Sequence, residues 1–193
     1  GSRKTGIYAD GCKNFTINKC DVRYMTNRGI EVLNGEYNTV KNCDIHNIGY
    51  EGVVITAGSI QYLVDGHGLV TNNHIYKFGC ADINYTGAVE YTGKGITVSH
   101  NLMHDSWGMA MTFQGVDCTV EYNEIYDVAT ETDDSAAIYD YAIMYSRNNV
   151  FRYNLIYNHQ KRKAISHTGT FAMYWDGAGA GKEVYGNIFY NMN

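Results

Sequence analysis

The sequence predicts an all-β fold, a right-handed parallel β-helix solenoid of about seven coils. Three observations predict it. An eight-residue template recurs seven times along 193 residues, its fifth position is Asn or Cys throughout, and Tyr and Gly are abundant (18 and 21) while Pro is absent. Tyr and Gly excess fits β-structure with tight turns rather than helices. A repeat with a period of a few tens of residues marks a solenoid.

The template reads x, apolar, x, x, Asn or Cys, x, apolar, His/Tyr/Arg. Its copies are "TINKCDVR" (16–23), "TVKNCDIH" (39–46), "LVTNNHIY" (69–76), "TVSHNLMH" (97–104), "TVEYNEIY" (119–126), "VFRYNLIY" (150–157) and "EVYGNIFY" (183–190). The fifth position is Cys20, Cys43, Asn73, Asn101, Asn123, Asn154 and Asn187, at spacings of 23, 30, 28, 22, 31 and 33 residues. Length varies between templates and never inside them, so the insertions are loops. An apolar residue on either side of an Asn reads as strand, bend, strand, with the side-chain amide satisfying backbone groups at the bend. The second and seventh positions are almost all Val or Ile.

A second strand follows most templates: "RGIEV" (28–32), "EGVVI" (51–55), "TGAVEY" (86–91), "WGMAM" (107–111), "SAAIY" (135–139) and "TFAMY" (170–174). Strands then stack on their counterparts one coil away, about 4.8 Å apart. No coil buries its own apolar face, so stability is a sum over neighbouring coils. With five Leu, a leucine-rich repeat is a poor rival, and apolar spacing near two excludes a helical solenoid.

The ladder gives several conspicuous residues a structural reading. Cys20 and Cys43 become stacked thiols, and the last template position, which includes His46 and His104, becomes an aromatic stack. Residues 1–193 form a single β-helix domain, expected to be part of a longer chain. A β-helix with open edges also points to an end-to-end or edge-covering oligomer. A net charge of −5 argues against nucleic acid, and no apolar run has the length of a membrane span. Gly1-Ser2 reads as an expression scar, and secretion or another extracytoplasmic location is expected although no signal peptide is present. The five cysteines form no C-x-x-C, so no metal site is expected from them.

Chemistry is expected on one lateral face, bordered by the longer loops. Acidic, basic and tryptophan residues concentrate in three consecutive coils. "HDSWG" (104–108) carries His104, Asp105 and Trp107, and "TETDDSAAIYD" (130–140) carries Glu131, Asp133, Asp134 and Asp140. Residues 158–182 carry Lys161, Arg162, Lys163, His167, Trp175 and Asp176. "AIYD" (137–140) and "AMYWD" (172–176) read as one strand on neighbouring coils. Ala137 over Ala172 puts Asp140 over Trp175, one residue from Asp176. Paired carboxylates are the apparatus of glycoside hydrolysis, about 5–5.5 Å apart for retention and 6.5–9.5 Å for inversion. This registration nominates Asp140 with Asp176. His104, Asp105, Trp107, Glu131, Asp133, Lys163, His167 and Trp175 are the expected substrate-binding residues.

"VEYNEIYDVATETDDSAAIY", "NVFRYNLIYN" and "MYWDGAGAGKEVYGNIFYN" resemble the right-handed β-helix proteins of the pectate-lyase-like superfamily. The resemblance is closest to bacterial relatives of β-helix glycoside hydrolases, the α-fucosidase/xylanase branch. Their run Glu-Thr-x-Asp-Ala-Gly-Ala-Ile-Tyr and later Tyr-Leu-Asp-Asp-Gly place their aspartates on Asp134 and Asp176. The resemblance thus implies that pair as acid and nucleophile or base. The sequence departs from the pattern at Ala136-Ala137, at Gly177 and at "DYAIM" (140–144). The expected activity is hydrolysis of a plant or microbial polysaccharide without a cofactor. Two alternatives stay open. One is a lyase on uronate-containing glycans, with Lys163 or Arg162 as base and Ca²⁺ held by Glu131, Asp133 and Asp134. The other is a non-catalytic carbohydrate-binding or adhesin fragment.

Overall fold

A computed structural model describes residues 4–141, 144–159, 169–177 and 180–192. The chain winds through three parallel sheets of seven strands each. The first sheet holds the second strands: Ile7–Asp10, Ile30–Gly35, Val53–Ala57, Gly87–Lys94, Met109–Val116, Ser135–Asp140 and Thr170–Trp175. The second sheet holds the first half of each template, from Thr16–Asn18 to Glu183–Tyr185. The third holds the second half, from Asp21–Met25 to Ile188–Met192. This is the expected parallel β-helix, and every template pairs with its neighbours in register, as Thr97, Val98 and Ser99 do with Thr119, Val120 and Glu121.

The bend between the second and third sheets is built by the asparagines. Asn73, Asn101, Asn123 and Asn154 each donate through Nδ2 to Oδ1 of the next ladder Asn, at 2.9, 3.0, 3.0 and 2.9 Å. Each also donates to a carbonyl of the preceding coil, as Asn101 does to Val70 at 3.0 Å. The buried amides are therefore fully occupied, which is the condition for keeping them in a core. Cys43 lacks the amide but keeps the backbone bond that the ladder residues Asn73 and Asn101 also make, its N–H donating to Asn73 Oδ1. All five cysteines are free thiols.

The core runs along the axis as columns of like residues. Val40, Val70, Val98, Val120 and Phe151 line it from the second sheet, and Ile45, Ile75, Met103, Ile125 and Ile156 from the third, all buried. On the outer surface of the third sheet, the last template residues stack. Ring centroids are 4.8 Å apart for His46–Tyr76, 5.3 Å for Tyr76–His104, 4.6 Å for His104–Tyr126 and 5.0 Å for Tyr126–Tyr157.

The first sheet departs from simple alternation. Two consecutive residues face the core in each coil: Ala88 and Val89, Ala110 and Met111, Ala137 and Ile138. The strand bends there, and the inward–outward phase shifts by one residue. The first member of each pair is small for a steric reason. In earlier coils the column is Gly6, Gly29 and Gly52, where a Cβ would lie 2.7, 2.5 and 2.7 Å from a carbonyl oxygen of the next coil.

Candidate active site

The bend decides which side chains reach the outer face of the first sheet. Ser135–Asp140 pairs with Thr170–Trp175 in the expected register, Asp140 opposite Trp175. Because the phase shifts at Ala137–Ile138, Tyr139 and Tyr174 point outward while Asp140 and Trp175 point inward. Asp140 is 1% exposed, ion-paired to Lys182 at 2.7 Å and bonded to the Ser146 hydroxyl at 3.1 Å. Burial outweighs the Lys182 charge and raises its carboxyl above the ordinary range. Trp175 packs edge-on against Phe151, ring centroids 5.7 Å apart. The expected Asp140–Asp176 pair is therefore not assembled, and Trp175 is core rather than rim.

Asp176 lies on the outer face. The ladder continues one residue past the strand, Asp176 N donating to Asp140 O, and the Tyr139 hydroxyl donates to Asp176 Oδ2 at 2.6 Å. Asp134 sits in a left-handed turn (φ 51°) just before the same strand, and after burial and Asp176 its charge raises the Tyr174 hydroxyl. Both carboxylates act on both phenols. Burial first, and then Asp176, pushes the Tyr139 hydroxyl well above its ordinary value, so it remains a proton donor at neutral pH. Tyr139 and Tyr174 meet edge to face at 5.3 Å, and Tyr85 and Tyr141 complete the patch at 5.5 and 5.6 Å from Tyr139. Such a surface offers apolar ring area with polar tips, the combination that holds a sugar ring.

The acidic run thus divides. Asp134 enters the tyrosine patch. Asp133 Oδ1 accepts from the Gly169 amide at 3.2 Å, tying its loop to the next coil. Glu131 turns into a cleft beside Trp107. Among the described residues, no group of three or more His, Cys, Asp or Glu is arranged to hold a metal ion. His104 is buried on the third sheet, bonded to Asp105 Oδ2 at 2.9 Å and to His74 at 2.7 Å, away from the patch. Trp107 and Asp105 line the cleft with Glu131's loop, not the patch. Lys163 and His167 lie outside the described residues, as do Lys161 and Arg162.

A family model described as a right handed beta helix region matches residues 5–193. The chain belongs to the right-handed β-helix family. No curated protein matches it.

The β-helix also carries polar residues on this face that the loop-based reading passed over. Arg28 donates to Glu51 at 2.6 Å and to Glu31 at 2.7 Å, and Thr5 donates to Glu31. Glu90 stands two strands along from Glu31 in the column that ends in Tyr139 and Tyr174. Its carboxyl is raised, by burial first and then by Glu51. The signal for these residues lay in the second strands. Stacking "RGIEV" on "EGVVI" and "TGAVEY" puts Glu31 and Glu90 in one outward column.

Proposed function

We propose that the protein is a glycoside hydrolase whose reaction takes place on the tyrosine patch between Asp134 and Asp176. The observation that carries this reading is that the Tyr139 hydroxyl holds Asp176 at 2.6 Å while the charge of Asp134 acts on the same two phenols, Tyr139 and Tyr174. A phenol donating to one carboxylate oxygen fixes the group and leaves its other oxygen for the substrate. In this reading Asp134 protonates the leaving oxygen. Asp176 acts on the anomeric carbon, directly or through a water it deprotonates. Tyr139, itself buried, orients Asp176, and the more exposed Tyr85 and Tyr174 around it carry the sugar ring. The substrate is a polysaccharide or oligosaccharide, met outside the cytoplasm, and the reaction requires no cofactor. The test is Asp176→Asn on a panel of glycans: turnover should be abolished while the circular dichroism spectrum is retained. Wild-type hydrolysis by a folded Asp176→Asn protein removes the assignment.

A further inference from the structure

Trp107 is an exposed tryptophan that the proposed reaction does not use. It is 45% exposed and forms a wall shared by two adjoining clefts, of about 380 and 530 Å³. The first cleft is edged by Asn47, Lys77 and Asp105, and the second by Glu131. Cys80, an exposed thiol, lines both. Asn47, Lys77 and Asp105 all have positive φ (55°, 52° and 51°), each one residue past the stacked His46, Tyr76 and His104; Asn47 lies inside its strand Asp44–Ile48 and the other two immediately after theirs. The same tight corner, repeated on three coils, therefore projects an amide, an ammonium and a carboxylate along one edge.

Two loops serve both the clefts and the tyrosine patch. Residues 80–83 line a cleft while Tyr85 packs on Tyr139, and Glu131 lines a cleft while the charge of Asp134, in the same loop, acts on Tyr174. A flat indole beside groups that both donate and accept hydrogen bonds suits a ring with an apolar face and a rim of hydroxyls. One ammonium, Lys77, stands against three carboxylates, Asp82, Asp105 and Glu131, so nothing there favours an anionic residue.

We infer that the Trp107 clefts form a second sugar-binding site, which takes a neutral pyranose unit of a glycan chain and lies apart from the Asp134–Asp176 patch. The ligand class rests on the carbohydrate reading above, but hydrolysis does not enter the test. The probes are xylohexaose, cellohexaose, chitohexaose and mannohexaose, titrated into the intact chain while tryptophan fluorescence is followed. Trp107 and Trp175 are the only tryptophans, so Trp175→Phe leaves Trp107 as the sole reporter. At least one hexasaccharide should shift the emission of the wild type and of Trp175→Phe. Trp107→Ala should weaken that binding roughly tenfold or more, about 1.4 kcal/mol. Saturating sugar should also slow alkylation of Cys80, read by peptide mass spectrometry. Binding by folded Trp107→Ala with wild-type affinity overturns the proposal, as does unprotected Cys80 at saturation or the failure of every hexasaccharide to bind. Loss of turnover in Asp176→Asn with Cys80 protection intact separates this site from the reaction.

Discussion

Replacing Asn101 with alanine cuts the internal ladder at its middle. Its amide donates to Val70 O and Asn123 Oδ1, both at 3.0 Å, and its carbonyl accepts from the Asn73 backbone N–H at 3.0 Å and from Asn73 Nδ2 at 2.9 Å. Asn123 Oδ1 keeps a partner, the Asn101 backbone N–H. The two Asn73 donors keep none at that site, and Asn73 is buried. An orphaned buried donor costs roughly 1–3 kcal/mol, so the variant should lose about 4 kcal/mol. Urea unfolding at pH 7 reads this as a fall in midpoint at unchanged slope. Asn187→Ala, at the half-buried end of the ladder, should cost about half as much. If Asn101→Ala lies within about 1 kcal/mol of wild type, or Asn187→Ala costs more, the ladder is not what fixes the bend.

Three further outcomes follow from the packing and the site. His159 is buried, and desolvation lowers its pKa to about 4, below the unfolded value of about 6.5. The unfolded chain then binds the extra proton between those values, so this contribution is whole above pH 6.5 and is lost as pH falls toward 4. It amounts to about 2 kcal/mol lost by pH 5, and His159→Phe should flatten the slope of stability against pH by that amount in urea titrations. Gly52→Ala would set a Cβ 2.6 Å from Ile75 Cγ2 and 2.7 Å from Ala88 O, and overpacking of about 2 kcal/mol should lower Tm by roughly 4–8 °C in calorimetry. Tyr139→Phe frees Asp176 from its phenol, and steady-state kinetics should show kcat reduced about tenfold with KM little changed. Unchanged kcat would mean the phenol does not orient the carboxylate.

The repeat made the fold legible because the ladder position admits no insertion and each template buries the same two columns. The coil-to-coil register of Asp140 on Trp175 was legible for the same reason. The direction of those side chains was not. Alternation counted from the inward Ala137 puts Asp140 outside, and the bend at Ala137–Ile138 reverses it. The cue was present as a column of small residues, Gly6, Gly29, Gly52, Ala88, Ala110, Ala137 and Ala172, each just before the strand residues that pair across coils. Small residues in one column mean backbone packed against backbone, and so a bend. Tyr139 and Tyr174 were passed over because tyrosine is common throughout the chain. Only their place between two aspartates sets them apart. Trp107 and Trp175 look alike in sequence, yet one rises from a loop and the other ends the inner column of Val32, Ile55, Tyr91, Phe113 and Asp140.

The reaction assigned to the Asp134–Asp176 pair is tested most directly by azide rescue of Asp176→Ala on whichever glycan the wild type cleaves. The account predicts a fall in turnover of at least about 10²-fold. Added azide, a small anion able to enter the space left by the carboxylate, should restore cleavage and yield a glycosyl azide. Wild-type turnover by folded Asp176→Ala would contradict it.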